Sequence, residues 1–224
     1  YIRMACAEVK FMTKPSISGE QQLTKNILVV GGGATGMTAA LAIADSGYDV
    51  HLIERTDVLG GNLQNMYYVA EGYHPRRLGR DLINRVRAHQ HIQALTRTEL
   101  IHHHGHVGYF QSDLRTTLPD GSSETFRVEH GVTIVATGGQ ETRNHPWLDF
   151  PQVIRQSELE EMVVHQPKEI AALKDVVMIQ CVQPPGIADY CSRVCCTNTM
   201  KNAIRLKLFN PGCRVTVLYK NIVT

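Results

Sequence analysis

Short apolar runs alternate with amphipathic segments along most of the chain, and they predict strands and helices in turn. Ile27–Val30 is a continuous apolar run, which is typical of a parallel strand buried on both faces, and Val50–Ile53 is the next predicted strand. Residues 35–46 between them are rich in Ala, Met and Leu and predict a helix that ends at Gly47. These segments together predict a β-α-β unit of about 30 residues.

The following segments predict a small antiparallel meander that interrupts this pattern. Residues 77–89 predict a helix with Leu78, Leu82, Ile83 and Val86 on its inner face. Residues 106–130 alternate short apolar and polar stretches around a Pro-Asp-Gly turn, so we expect a meander there. Residues 132–136 then predict a strand that returns to the main sheet.

A second β-loop-α-β unit is predicted at residues 174–220, after a short helix at Gln156–His165. Its strand ends at Cys181, its helix spans residues 191–209, and its last strand begins near Cys213. We expect an α/β protein with three parts: an N-terminal helix (residues 1–13) and linker over 1–25, a first dinucleotide-binding domain over 26–150, and the second unit over 151–224.

Composition narrows the function classes. The 224 residues are 43% hydrophobic and carry a net charge of +2, with basic residues scattered among acidic ones, so we expect no nucleic-acid partner. No apolar run approaches the roughly 20 residues that cross a bilayer, and no signal peptide is recognisable. The chain begins at Tyr1 and stops after a strand-like run, so we expect both ends to belong to a larger polypeptide.

A glycine-rich turn joins the first predicted strand to its helix. The sequence from Gly31 to Gly36 satisfies G-x-G-x-x-G, which is a weak signal alone but is specific between a buried strand and a helix. Gly33 would let backbone N–H groups approach a pyrophosphate, and the helix N-terminus, with Ala34 and Thr35, favours phosphate charge. This turn predicts a dinucleotide site.

Glu54 follows the second strand, at the distance expected for a residue that binds ribose hydroxyls and repels a 2′-phosphate. The chain around Gly60-Gly61-Asn62 and the Ala136-Thr137-Gly138 strand end resembles flavoproteins with two dinucleotide domains, such as thioredoxin reductase. This resemblance implies FAD rather than NAD. The predicted cofactor-binding residues are Gly31, Gly33, Ala34, Thr35, Gly36, Glu54, Arg55, Gly61, Asn62, Ala136, Thr137 and Gly138.

Four of the six cysteines lie where such flavoproteins bind a nicotinamide nucleotide. The loop after Cys181 has one glycine and two prolines, so it cannot present the row of N–H donors that a pyrophosphate needs. Structural zinc, a Cys191/Cys195 redox disulfide, buried inert thiols and a four-thiolate iron–sulfur cluster all remain open from the spacing alone.

The run CVQPPGIADYCSRVCC, followed by a helix with Lys-Asn, resembles the heterodisulfide reductase family of A-type flavoprotein subunits. Four earlier segments of the chain occur in the same order as in that family: RMACAEVKFMTKP, HVGYF, IVATGG and VIRQSELEEM. The resemblance implies FAD, a [4Fe–4S] cluster on Cys181, Cys191, Cys195 and Cys196, and membership of a large cytoplasmic complex with other iron–sulfur and redox subunits. The resemblance is compatible with a homodimer within that complex, and it implies that any membrane association would come through partner subunits.

The chain departs from the family pattern in two places. It has no cysteine pair soon after Gly60-Gly61 and no ferredoxin-type cysteine run, so it is closer to related flavoprotein subunits of quinone-interacting complexes or to a fragment. We expect an electron-transfer subunit, in contrast to the alternative of a stand-alone NAD(P)H-dependent flavin disulfide oxidoreductase. The histidines at 102–104 and 106 are expected on an exposed turn, without a metal.

Overall fold

The computed structural model describes residues 23–141, 143, 145–183 and 191–223. The helix expected at residues 1–13 lies outside these ranges. Two groups of elements follow one another along the described chain: a parallel sheet with its meander, and a smaller unit of helices around two strands. The strands and helices are β1 (Ile27–Val30), α1 (Ala34–Asp45), β2 (Val50–Ile53), α2 (Pro75–Ala88), β3 (Ile92–Leu95), β4 (Thr98–His106), β5 (Tyr109–Thr117), β6 (Ser123–His130), β7 (Val132–Val135), α3 (Gln156–His165), α4 (Pro167–Ala172), β8 (Asp175–Ile179), α5 (Cys195–Phe209) and β9 (Arg214–Leu218).

The main sheet has the order β3-β2-β1-β7, and all its strands are parallel. Side chains alternate across β1: Ile27 and Val29 pack against α1 and α2, whereas Leu28 packs against Leu114 and Val128 of the meander. The sheet is therefore the middle of three layers. Burial on both faces explains why the central strand β1 is a continuous apolar run.

The meander of β4, β5 and β6 begins earlier than the sequence predicted. It starts at Thr98 instead of near residue 106, and β4 pairs with β5 along its length. The histidines expected on a turn are strand residues: His102 lies opposite Asp113, and His104 opposite Gln111. The expectation of a turn was wrong because four polar imidazoles hide the alternation that marks a strand.

One imidazole of the meander is fully buried. His130 donates from Nδ1 to the carbonyl of Val132 (3.1 Å), so its Nε2 accepts the hydroxyl proton of Ser112 (2.8 Å). Burial lowers the pKa of His130, and the nearby imidazoles of His103 and His51 lower it further, although the bond to Val132 opposes them. The geometry therefore holds His130 as a neutral ring.

Stability is expected to fall as the pH drops from about 7.5 to about 5.5. The pKa of His130 is lower in the folded protein than in the unfolded chain, so its contribution is complete above the unfolded value of about 6.5 and is lost below it. Urea unfolding at the two pH values measures the effect as a shift in midpoint. His130→Gln should reduce the shift, while His102→Gln, at an exposed position of β4, should keep it; equal midpoints for the wild type would contradict the prediction.

The second unit pairs β8 and β9 in parallel, with α5 connecting them. Its core joins Leu159 and Val163 of α3 to Met178 of β8 and Leu206 of α5. Tyr68, from the segment before α2, is inserted into the same core. That insertion ties the second unit to the loop that precedes α2.

The start of one helix and the buried face of another differ from the sequence prediction. The long helix begins at Cys195 rather than at Cys191, and Arg193 just before it has a left-handed φ of 58° that a continuous helix does not allow. Leu78, predicted on the inner face of α2, is 52% exposed, because the buried face consists of Pro75, Gly79, Leu82 and Val86. No helix in the described ranges has both the length and the apolar character to traverse a bilayer.

Candidate functional site

The glycine turn between β1 and α1 is closely packed on its inner side. Gly31 has φ +113°, and a Cβ there would overlap the carbonyl of Ala136, at the end of β7. A Cβ on Gly36 would overlap the carbonyl oxygen of Gly31. These two glycines are required by the close approach of the turn, its helix and the neighbouring strand, as the motif predicts.

The outer side of the same turn is open. Gly33 has φ −78°, and a Cβ built on it would meet no atom of the described chain within 4 Å. It precedes Ala34, where α1 begins without a side-chain cap, and Thr35 in the first turn is exposed. The first N–H groups of a helix have no partner within it, so this end can donate to an anion.

A second segment crosses in front of the turn. The N–H of Gly60 donates to the carbonyl of Gly32 (2.8 Å), and a Cβ on Gly61 would lie 3.0 Å from the Cα of Gly33. The amide of Asn62 donates to the carbonyl of Gly139 (3.1 Å), just beyond Ala136-Thr137-Gly138. Three stretches distant in sequence are therefore held together at the carboxyl end of the sheet, where open α/β sheets bind ligands.

Glu54 lies at the end of β2, on the same side. Its Oε2 accepts the N–H of Gly32 (2.8 Å), and its Oε1 accepts the N–H and the hydroxyl of Thr56 (2.9 Å each). The carboxylate is thus fixed against the glycine turn. Its neighbour Arg55 is exposed.

The cysteines follow β8 and open α5. Cys181 has a left-handed φ of 60°, and its sulfur lies 3.6 Å from the carbonyl oxygen of Asn221. The sulfur of the buried Cys196 lies 3.9 Å from the same oxygen. The two thiols therefore converge on one point.

The other two cysteines of the motif are more accessible. Cys195 is half-buried at the start of α5, and Cys191 is exposed; both are free thiols. Residues 184–190, between Cys181 and Cys191, lie outside the described ranges. Within those ranges no three His, Cys, Asp or Glu side chains are assembled as a metal site.

A buried polar network, missed by the sequence analysis, connects the Tyr67-Tyr68 segment of the first unit to helices α3 and α5 of the second unit. The Nζ of Lys201 in α5 lies 2.6 Å from Oε2 of Glu160 in α3, and both side chains are more than 90% buried. Oε1 of Glu160 accepts the N–H groups of Tyr67 (2.6 Å) and Tyr68 (3.2 Å). The segment that follows Asn62 is therefore held by Glu160 of α3, and the ion pair joins Glu160 to α5, the helix that begins with Cys195.

Tyr68 and Asn202 extend this network. The hydroxyl of Tyr68 donates to Oδ1 of Asn202 (2.8 Å), and the amide of Asn202 donates to the backbone carbonyl of Gln156 (3.2 Å) and to its Oε1 (2.8 Å). Burial raises the pKa of Tyr68, and the negative charge of Glu160 raises it further against the opposing effect of Arg205. The phenol therefore stays protonated and acts as a donor. The available sequence signal was the Lys-Asn pair on a predicted helix.

Comparison with known families assigns the first unit. A sequence profile of the FAD dependent oxidoreductase family matches residues 26–137, which is half of the chain. The chain belongs to this family. The glycine turn and Glu54 predicted a dinucleotide site, and the resemblance to two-domain flavoproteins implied FAD.

The curated relatives of this FAD-dependent oxidoreductase confirm the resemblance seen in the cysteine motif. The A-type subunit of ferredoxin:CoB-CoM heterodisulfide reductase from Methanosarcina mazei is 23% identical over 99% of the chain and 39% of its own length. The first A-type iron-sulfur subunit of CoB–CoM heterodisulfide reductase from Methanopyrus kandleri is 22% identical over 91% of the chain and 44% of its own length. The chain thus spans less than half the length of these relatives. The first alignment runs over 312 residues, so that relative has internal segments with no counterpart in this chain.

Solved structures confirm the fold class. Thioredoxin reductase from Lactococcus lactis, in its FR conformation, matches 88% of the chain and 57% of its own length, with a TM-score of 0.50 and 15% identity. At this identity the match concerns the fold alone. It agrees with the tandem α/β arrangement that the sequence predicted.

Proposed function

We propose that this FAD-dependent oxidoreductase is an electron-transfer subunit that holds FAD and a [4Fe–4S] cluster within a heterodisulfide-reductase-like multisubunit complex. The observation that carries the proposal is the placement of four cysteines at the strand–helix junction where a nicotinamide-binding turn would lie. The same chain carries an intact FAD-type glycine turn in its first unit. Bound FAD would exchange electron pairs with a donor or partner, and the cluster would carry single electrons.

The residues of the first unit fit a dinucleotide. The open side of Gly33 leaves room for a diphosphate, and the uncapped start of α1, with Ala34 and Thr35, offers it N–H donors. Glu54 would accept ribose hydroxyls in exchange for part of its present bonds to Gly32 and Thr56. The other proposed contacts, along the two stretches that cross the turn, are Gly31, Gly36, Arg55, Gly61, Asn62, Ala136, Thr137 and Gly138.

The cysteines fit a cluster by their chemistry. Four thiolates is the ligand count of a [4Fe–4S] cluster, and Cys181 and Cys196 already converge on the carbonyl of Asn221. Cys195 adjoins Cys196 in the first turn of α5, whose N-terminal N–H groups would stabilise the negative charge of such a cluster. Cys191 would be the fourth ligand. The Methanopyrus kandleri relative is itself named an iron–sulfur subunit.

The buried network supports an arrangement with both cofactors in one rigid unit. It joins the Tyr67-Tyr68 segment, shortly after Asn62, to Lys201 and Asn202, shortly after the cysteines. Other iron–sulfur and redox subunits are the proposed partners, with a homodimer in the complex and a cytoplasmic location.

Anaerobic purification with iron and acid-labile sulfide analysis tests this function. We expect a yellow-brown protein with about four irons and four sulfides per chain. Cys196→Ala should lose most of the iron and keep the flavin, while Cys213→Ala, a buried cysteine outside the motif, should keep both.

The alternative enzyme would give the opposite result. A disulfide oxidoreductase that uses Cys191 and Cys195 would be yellow but iron-free, and titration with NAD(P)H would reduce its flavin and release two thiols. Iron-free protein after anaerobic purification and reconstitution would overturn the cluster. Colourless protein that does not take up FAD would overturn the first site.

A further inference from the structure

Helix α2 carries an excess of positive charge that the fold does not use. It contains five arginines, at positions 76, 77, 80, 85 and 87, and a single acidic residue, Asp81. The whole chain has a net charge of only +2, so this excess is local. Local charge of one sign on one element is typical of an electrostatic contact surface.

Helical periodicity places the arginines of α2 on two different sides of the helix. At ~100° per residue, Arg76, Arg80 and Arg87 lie within about 40° of one another, and Arg77 lies beside them. Arg85 lies on the far side, where it faces Asp45 at 3.9 Å. The buried positions Gly79, Leu82 and Val86 occupy a third side, so the cationic face is distinct from the packing face.

The arginines of this cationic face (Arg76, Arg77, Arg80 and Arg87) form no ion pair with any carboxylate in the described ranges. Elsewhere, some exposed arginines of the protein are paired, for example Arg115 with Glu99 (3.1 Å) and Arg127 with Asp113 (2.7 Å). Four exposed arginines side by side, with Asp81 beside Arg77 as the one carboxylate of the helix, repel one another at a small cost in stability. A partner that supplies carboxylates would remove that repulsion.

The cationic face borders a cleft. Gln64, Arg76 and Arg80 line a volume of about 390 Å³ between α2 and the 3-10 helix Gly61–Gln64. The guanidinium of Arg76 lies 4.0 Å from the centre of the Tyr67 ring, which holds its position. A Cβ on Gly79 would lie only 3.3 Å from the Cβ of Leu63, so the floor of the cleft is tightly packed.

We propose that the cationic face and its cleft form a docking surface for an acidic protein segment. Arg76 and Arg87 are separated by about 16 Å along the helix axis, which exceeds the size of one phosphate and suits a row of carboxylates. Guanidinium groups bind carboxylates through two parallel hydrogen bonds, and Gln64 can add an amide donor. The 3-10 helix of the cleft is the one that crosses the glycine turn, so the partner would dock beside the flavin; this last placement alone rests on the proposed function.

Fluorescence anisotropy with a labelled oligoglutamate peptide tests the surface without any need for cofactors. Binding should be measurable at ~0.05 M salt and should weaken strongly at ~0.5 M, because exposed charges are screened. Arg80→Gln should weaken binding about two- to fivefold, and Arg76→Gln with Arg80→Gln about five- to twentyfold. Arg80→Lys should weaken binding less than Arg80→Gln, because lysine keeps the charge but cannot form two parallel hydrogen bonds.

Arg85→Gln is the matched control, since it removes the same charge from the same helix on the opposite side. Its affinity should stay within about twofold of the wild type. A loss equal to that of Arg80→Gln would show a response to net charge alone and overturn the docking surface. Absence of peptide binding at low salt would also overturn it, as would displacement of the peptide by an equal concentration of inorganic pyrophosphate, which would indicate a small-anion site on this face.

Discussion

Replacement of Lys201 by methionine is expected to lower the free energy of unfolding by about 3–5 kcal/mol. The Nζ of Lys201 is the cation of a buried pair, 2.6 Å from Glu160, and both side chains are more than 90% buried. Methionine has a similar volume, so the loss comes mainly from the carboxylate that remains buried without its cation. Urea unfolding measures the change.

A double variant separates this charge effect from packing. Glu160→Gln alone leaves the ammonium of Lys201 without its acceptor and should be as harmful as Lys201→Met. Glu160→Gln combined with Lys201→Met removes both charges, while the glutamine oxygen still accepts the N–H of Tyr67, so we expect a loss smaller than the sum by about 1–3 kcal/mol. Additive losses would contradict the coupling.

Hydrogen exchange offers a second readout at the connected segment. The amides of Tyr67 and Tyr68 donate to Glu160, so they should exchange faster in Lys201→Met, where the carboxylate is free to move. Asp175→Asn, which breaks the exposed pair with Arg214, is the control and should leave these amides protected. Unchanged exchange in both variants would show that the pair does not hold the segment.

The sequence was sufficient for the parts of the fold that are encoded locally. Three elements lie where they were predicted: β1, β2 and the helix Gln156–His165. Burial of a strand or of one side of a helix leaves a pattern of apolar residues in the sequence itself. The stretches around Gly31, Gly61 and Ala136 were also expected together, and the structure does bring them together. Their roles as FAD contacts remain a prediction.

Strand pairing and backbone conformation decided what the local pattern could not. The histidine stretch has no alternation of apolar and polar residues, and only its register with β5 makes it a strand. Similarly, the left-handed φ of Arg193 delays the helix from Cys191 to Cys195, and nothing in that sequence marks the residue as left-handed. These errors are small, but they move the proposed cluster ligand Cys191 out of the helix.

The polar network was the largest omission. Tyr68 and Asn202 are separated by 134 residues, and their hydrogen bond depends on how α3 and α5 pack. Sequence periodicity can show that polar residues lie near the buried stripe of α5, yet it cannot name their partners. The contact between the two regions therefore required coordinates.

A pair of glycine variants should separate the requirements of the fold from those of the cofactor. Gly36→Ala places a Cβ on the carbonyl oxygen of Gly31, a backbone atom that cannot rotate away, so we expect a loss of about 1–3 kcal/mol in stability and weak retention of FAD. Gly33→Ala adds its Cβ to open space at an ordinary φ of −78°, so stability should fall by only about 0.5–1 kcal/mol, because alanine is a poorer N-cap than glycine. Urea unfolding of the apoprotein gives both values.

Gly33→Ala should have a larger effect on the affinity for FAD than on stability. A methyl group on Gly33 would occupy the space proposed for the diphosphate, and the loss of one hydrogen bond to a charged group, about 1.5–3 kcal/mol, corresponds to roughly ten- to hundredfold weaker binding. Gly212→Ala, in the turn before β9, meets only an ordinary contact at 3.6 Å and should leave both quantities unchanged. A Gly33→Ala protein that is stable and binds FAD as tightly as the wild type would place the diphosphate elsewhere, because an ordinary glycine turn tolerates that methyl group and a phosphate-binding turn does not.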